Sequence, residues 1–392
     1  MKILLAHNQY QQAGGEDQSV TAEIAMLESF GHEVIQYRVH NDAIKGMSSL
    51  GVATRTIWNR TSYRDVRELI QRHRPHIAHF NNTFPLISPA AYYAARKEGI
   101  PVIQTLRNYR LICPDAYFLR NQRLCESCMG KIFAWPAIVH GCYRKNRKAS
   151  TVVATMLATH RLLRTWRNAV DVYIALTEFG RSTFIRGGLP AEKIVVKPNF
   201  VYPDPGPDTG TGNYAIFIGR LSDEKGIKTL LDAWRLLDKE IHLKIVGSGP
   251  LETIVQNAAD RDQRIHWTGQ QSPSQVAKLV GNAAFLVFPS LWYEGMPRTI
   301  IEAFAKGTPV IASRLGAMQE LITHDNNGLH FEPGNATALA TLVGQLWCDP
   351  ARLLRMRTAA RAAYDGHYRV ETNYQSLMAI YEQALRTKQT NT

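Results

Sequence analysis

The sequence has no apolar run approaching the ~20 residues of a membrane-spanning helix, which excludes a helical integral membrane protein. It also lacks a leader pattern: Met1-Lys2-Ile3-Leu4-Leu5-Ala6-His7 is too short for one and passes straight into a polar loop. That start reads as a first strand, and a cytoplasmic protein is expected. There is no low-complexity tract and no short repeat. Cysteine is scarce, five in 392 residues, so a disulfide-stapled secreted fold is not indicated. Residues 201–392 lack net charge, with 19 Lys+Arg against 19 Asp+Glu. The whole excess of +13 falls in residues 1–200, with 27 cations against 14 anions. It is densest at Arg55 to Arg74, Arg144-Lys145-Asn146-Arg147-Lys148 and Arg161 to Arg167. Such a half is drawn to membrane headgroups, nucleic acid or a diphosphate-bearing substrate, or is simply a solvated basic face. Interleaved stacking aromatics and a reader motif are missing, so no nucleic-acid partner is expected.

What is present is alternation. Apolar strand-like runs (2–7, 32–37, 76–80, 101–105, 171–176, 193–196) are separated by helical patterns at 16–30, 63–73, 88–98, 151–166 and 178–186. Residues 41–60 and 106–150 show no clean period. A proline- and glycine-rich linker, Pro198 to Gly212, follows. A second series then begins, with strands at 215–219, 242–246, 264–267 and 283–288 and helices at 227–236, 251–259 and 273–280. The expected fold class is α/β, with two doubly wound, Rossmann-like parallel sheets facing across a cleft. The expected domains are 1–200, with a cysteine-rich insert at 106–150, and 201–371. Residues 372–392 form a last helix.

The most informative stretch runs from Pro289 to Gly307. It follows the apolar run Ala283–Phe288 and ends at Lys306-Gly307, a helix stop before a second apolar strand. It reads as strand, loop and helix, with Pro297 suited to the first helical position because its missing N–H would be unpaired there anyway. Glu294 then lies in the loop and Glu302 in the helix. Gly295 and Met296, between them, offer backbone N–H groups to an anion. Upstream, the strand at 215–219 leads into Arg220-Leu221-Ser222-Asp223-Glu224-Lys225-Gly226. Two cations in a loop at a strand's carboxyl end can neutralise a diphosphate. Two glycines flank Ser248 in Val246-Gly247-Ser248-Gly249-Pro250, which permits close backbone approach by a ligand or simply makes a tight turn.

These residues resemble the signature of retaining glycosyltransferases of family 4, which have the two-domain GT-B fold. The Glu pair separated by seven residues, opened by Glu-Gly, is the first hallmark, and the Arg220/Lys225 pair matches the second. The resemblance implies that Arg220 and Lys225 grip the donor's diphosphate. Glu302 would bind the nucleotide ribose, and Glu294 would contact the donor sugar and stabilise charge at its anomeric carbon. Gly14-Gly15 matches the family's N-terminal glycine loop, and Gly247 and Gly249 the turn near the nucleotide. Gly295 and Met296 would meet sugar or phosphate. The last helix would cross back onto the first domain. One departure stands out. Arg107 occupies the place where many members carry a His that contacts the donor sugar. With His79, Asn81 and Asn82, at the end of the strand 76–80, Arg107 is a candidate on the acceptor side; a capping or turn role is open for the other three.

Cys113, Cys125, Cys128 and Cys142 include a CxxC pair with two outlying thiols. That set can form a structural Cys₄ zinc site, or pack as reduced thiols. Asp260-Arg261-Asp262 looks like a metal-holding DxD but falls at a helix end, and reads as surface charge. The expected activity is metal-independent, retaining transfer of a sugar from a nucleotide-sugar donor to an acceptor hydroxyl. The acceptor would be a lipid-linked or anionic saccharide, with loose docking on the inner membrane face. A non-catalytic sugar-nucleotide-binding protein and a GT-B nucleotide-sugar epimerase are the alternatives.

Overall fold

The computed structural model describes residues 1–11, 14–238 and 240–389. The chain divides into two compact units. The first comprises Met1–Phe118, Glu126–Pro198 and Glu371–Thr392; the second comprises Leu119–Cys125 and Asn199–Val370.

In the first unit, β1 (Lys2–Gln9), β2 (Glu33–His40), β3 (Ile77–Phe80) and β4 (Val102–Leu106) precede β7 (Val172–Ala175) and β8 (Ile194–Val196). Between them in sequence, β5 (Leu119–Arg120) and β6 (Arg123–Leu124) form a separate antiparallel pair. The six strands of the large sheet are parallel and lie in the order β2-β1-β3-β4-β7-β8. β3, β4 and β7 are buried throughout, as strands covered by helices on both faces must be. The chain steps outward from β1 to β2, then returns to the other side of β1 for β3. The carboxyl ends of β1 and β3 therefore form a topological switch point, where such sheets bind ligands.

The second unit repeats this plan with β9 (Ala215–Ile218), β10 (Leu243–Val246), β11 (Ile265–Trp267), β12 (Phe285–Phe288), β13 (Val310–Ser313) and β14 (Gly328–Phe331). Their order is β11-β10-β9-β12-β13-β14, again all parallel, with the switch point between β9 and β12. A core from Phe217, Leu230, Trp234, Ile245, Phe285 and Val287 glues helices to this sheet.

The structure alters several expected boundaries. The helix expected over 151–166 begins at Arg147, capped by the Asn146 side chain, and ends at Leu162. Arg164, at φ 53°, then breaks the path before a short turn of helix at Thr165–Asn168. The unassigned segment 41–60 contains a helix, Ser49–Ile57, whose start is fixed by the Ser48 hydroxyl accepting from the Gly51 N–H. Pro297 caps its helix from outside rather than opening it: the helix spans Arg298–Ala305, and Pro297 is extended at ψ 114°.

Candidate functional site

The second unit's switch point gathers two loops. After β9 the chain passes exposed Arg220 and makes a short 3₁₀ turn at Asp223–Lys225. After β12 it runs through Ser290 and Trp292 to Glu294. The loops are stitched by the Leu291 N–H donating to the Glu224 carbonyl at 2.8 Å. Gly226 makes this approach possible. Its φ of 75° is left-handed, and a β-carbon there would strike the Pro289 carbonyl oxygen.

Glu294 is buried, and one of its oxygens, Oε1, collects three donors. Lys225 Nζ lies at 2.6 Å, the Ser290 hydroxyl at 2.7 Å and Trp292 Nε1 at 2.8 Å. Three donors on one oxygen fix it as an acceptor and hold the side chain in place. The Lys225 ammonium also sits 5.3 Å from the Trp292 ring centre and 5.6 Å from that of Phe288, on cation–π terms. Glu302 faces a different partner. Arg298, one turn earlier, donates to its Oε1 from Nε at 3.2 Å and Nη2 at 3.1 Å. Met296 is held inside the same unit by Asn199, whose side-chain amide donates to the Met296 carbonyl at 3.2 Å. The structure thus brings Lys225 and Glu294 into direct contact, while Glu302 pairs with Arg298.

Gly247, at φ 135°, has a fold-level reason to be glycine: a β-carbon would strike the Gly219 carbonyl. Gly14 has none, since a β-carbon there would meet nothing within 4 Å. Gly14 caps the helix Gly15–Ser29, and its N–H donates to Asp17, whose carboxylate also binds buried His7 at 2.9 Å.

The first unit carries a buried charge network that sequence reasoning located only in part. Glu23, on the Gly15–Ser29 helix, lies 3.3 Å from Lys197 Nζ and 3.6 Å from both Arg107 Nη2 and His79 Nδ1. Burial would raise the Glu23 carboxyl, but Lys197, with Arg107, outweighs it and holds it at about 2. Burial, against the pull of Glu23, lowers His79 to about 4, so its ring is neutral at pH 7 and its contact with Glu23 is no ion pair. His79 has no exposed surface: Nδ1 meets the Tyr381 hydroxyl at 2.8 Å and Nε2 the Thr105 hydroxyl at 2.7 Å. It is an interior group, and an acceptor could reach it only if this network opened. Asn81 accepts from Arg107 Nε at 2.6 Å.

Of the four cysteines of the possible zinc site, Cys113, Cys128 and Cys142 belong to the first unit and Cys125 to the second. Among the described residues no group of three or more His, Cys, Asp or Glu could hold a metal ion. Cys128 and Cys142 instead pack with Ala134, Ala137, Ile138 and Ala154, and burial pushes the Cys113 thiol up. Asp262 is paired with Arg264 at 2.7 Å and Asp260 accepts from Gln256 at 2.7 Å, both local contacts.

Two family models match this chain. One, described as "Glycosyl transferase 4-like domain", covers residues 14–199, and the other, "Glycosyl transferases group 1", covers residues 204–363. The chain belongs to the GT4-type glycosyltransferases. This GT4-type chain is 28% identical, over 42% of its length and 43% of the relative's, to the amylovoran biosynthesis glycosyltransferase AmsK of Erwinia amylovora. It spans about two fifths of the length of the curated relatives it matches first. Among solved structures, sucrose-phosphate synthase of Thermosynechococcus elongatus superposes with a TM-score of 0.74 at 17% identity, covering 98% of this chain and 99% of the other. Anabaena HepE, solved with UDP and glucose, gives a TM-score of 0.68 at 18% identity, covering 97% and 98%. At such identities the structural likeness speaks for the fold, which is GT-B.

Proposed function

We propose that this GT4-type protein is a retaining glycosyltransferase that takes a sugar from a nucleotide diphospho-sugar and places it on a saccharide hydroxyl. The observation that carries the reading is the Lys225–Glu294 contact of 2.6 Å at the β9/β12 switch point, with Arg220 in the same loop. Lys has three ammonium hydrogens; Glu294 engages one and holds the others for phosphate oxygens. Arg220, exposed in the same loop, adds a planar fork. The bond from the anomeric carbon to the phosphate oxygen breaks with its electron pair going to the diphosphate. Lys225 and Arg220 stabilise the charge that develops there. The acceptor oxygen bonds to the anomeric carbon on the same face, and its proton passes to the departing phosphate. Glu294, anchored by three donors, is a fixed negative charge for the oxocarbenium-like centre. Arg298 contacts only Oε1 of Glu302, which leaves Oε2 for ribose hydroxyls. Gly14, whose glycine identity the fold does not require, leaves room for a donor or acceptor group. The residues supply the cationic role without a metal. HepE binds UDP and glucose, and AmsK acts in amylovoran biosynthesis; both support a sugar nucleotide and a saccharide acceptor.

Docking on an anionic bilayer is supported by one surface of the first unit. Ile132, Phe133, Trp135 and Val139 are exposed side by side in sequence, and Lys131 Nζ sits 5.9 Å from the Trp135 ring. Arg144, Lys145, Arg147 and Lys148 follow. Apolar anchors beside cations suit a headgroup boundary. No helix among the described residues is long and apolar enough to cross a membrane.

A thermal-shift panel of nucleotide sugars, followed by donor hydrolysis and transfer assays, tests the activity. A native-state ligand raises the melting point, and Glu294→Ala is expected to abolish turnover. Full turnover in that variant, or no response to any nucleotide sugar, refutes the reading. Flotation with anionic vesicles at low and high salt tests docking; failure to bind at low salt ends that part.

A further inference from the structure

At the carboxyl ends of β3 and β4 the first unit holds a recess of about 40 Å³, whose polar lining includes Asn81, Asn82, Thr83, Arg107, Asn108 and Arg110. One water needs roughly 10–15 Å³ measured this way, so the recess has room for about three heavy atoms. That is the scale of a carboxylate or of two or three oxygens of a phosphate, not of a sugar ring.

Two buried donors among its lining residues have no partner. Asn81 is 3% exposed, and its Nδ2 has no hydrogen-bond partner. The amide cannot be turned round to cure this. Arg107 Nε donates to Asn81 Oδ1 at 2.6 Å, and a guanidinium only donates. Arg110 Nε is likewise buried and without a partner. The Arg110 guanidinium is locked in place: it lies 4.3 Å from the Phe84 ring centre and 5.0 Å from that of Tyr143, and Nη1 donates to the Pro114 carbonyl at 2.6 Å. Stacking of this kind occupies the faces of the group and leaves its N–H edge for an acceptor.

The charge balance agrees. No Asp or Glu lines the recess. Glu23, outside the lining, lies against both Lys197 and Arg107, and His79 beside them is neutral. Glu16 is turned to the Tyr10 hydroxyl at 2.9 Å and to the Asn108 amide at 3.2 Å. Buried donors without a partner cost stability until an acceptor satisfies them, and beside two guanidinium groups an anion does so best.

We infer that this recess, between Asn81, Arg107 and Arg110, binds a single anionic group of the acceptor, a carboxylate or a phosphate. The inference rests on the first unit being the acceptor side. It selects acceptors with an acidic sugar or a phosphate-linked carrier at the subsite and gives Arg107 and Arg110 a specificity role. Two N–H donors and two cations supply charge-assisted hydrogen bonds to the planar or tetrahedral oxygens.

The test uses the full chain, saturated with UDP so that the donor's phosphate-binding groups are occupied. Calorimetric titration with glucuronate and with inorganic phosphate is compared for wild type, Arg110→Gln and Arg72→Gln. Arg72 is exposed on the helix Arg60–His73 and changes the charge equally. Wild type and Arg72→Gln are expected to bind, and Arg110→Gln to bind roughly tenfold or more weakly. Tighter binding of glucuronate assigns the group to an acidic sugar; tighter binding of phosphate assigns it to a phosphate-linked acceptor. Absence of binding to wild type, or equal affinity in all three proteins, overturns the inference. If Arg110→Gln melts too low to titrate, Arg110→Lys takes its place. It keeps the charge and loses the fork, and wild-type affinity in it is equally fatal. Failure of UDP itself to bind counts against the transferase reading, and the glucuronate titration still reports on the recess.

Discussion

At the scale of single residues, Glu294 and Glu23 show how much a carboxylate depends on its donors. Glu294→Gln keeps the shape but presents an amide to Lys225, Ser290 and Trp292. Loss of an interaction that stabilises transition-state charge is expected to cut kcat roughly 10²–10³-fold, readable in a transfer assay. Loss of a charge-assisted contact should also cost about 1–3 kcal/mol by chemical unfolding. In the first unit the sign of the pH dependence follows from two shifts. His79 falls from its usual 6.5 to about 4, so the unfolded chain takes up the proton first, and stability is lost as pH drops from 6.5 towards 4. Glu23 falls from 4.5 to about 2, so its contribution is complete above 4.5 and disappears as pH falls towards 2. Urea midpoints measured from pH 7 to pH 3 should therefore decline in two overlapping steps. His79→Gln is expected to remove the upper one; a variant that keeps that step would refute the assignment.

At the scale of elements, the two loops of the second unit are spaced by Gly226. Gly226→Ala must hold φ 75° and push against the Pro289 carbonyl, so it should destabilise by more than about 1 kcal/mol and weaken binding of a sugar nucleotide. A melting curve and a donor titration unchanged from wild type would contradict this. Strands were the legible part of the sequence. Phe285–Phe288 and Val310–Ser313 are buried along their whole length, and buried parallel strands read as continuous apolar runs. Lys225 and Glu294 were legible because each follows such a strand at a fixed distance. Ser290, Trp292 and Arg298 were not, because a loop has no period to mark which side chains turn inward. The capping residues Asn146 and Ser48 fix helix starts that a periodicity search misses, since the cap lies outside the repeat. Glu23 left a trace: an acid on a helix face with Val20, Ile24 and Leu27, all buried. Its partner Lys197 is 174 residues away, beyond any local pattern.

At the scale of the molecule, the same parallel plan is used twice, and each sheet has a switch point with functional candidates at strand ends. Nothing in a strand's own sequence states its neighbour, so the order of strands had to come from the structure. The first unit's interior depends on this distant assembly. Glu23→Gln would remove the carboxylate that lies against Lys197 and Arg107, and is expected to cost about 3–5 kcal/mol, measured as a loss in urea midpoint. A shift within error would show that the network is not a charge pair at heart. The helix Val370–Gln389 also belongs to this interior: Tyr381 meets His79, and Asn373 binds Lys197 at 2.8 Å and the Pro198 carbonyl at 2.6 Å. Synthesis runs from the amino end, so the ribosome delivers strands β1 to β8 well before this helix. The half of the protein made first must wait, with Lys197 lacking one of its partners, until the half made second has emerged. A nascent chain halted near residue 200 should thus be sensitive to protease, and adding the 371–392 segment as a separate peptide should restore protection.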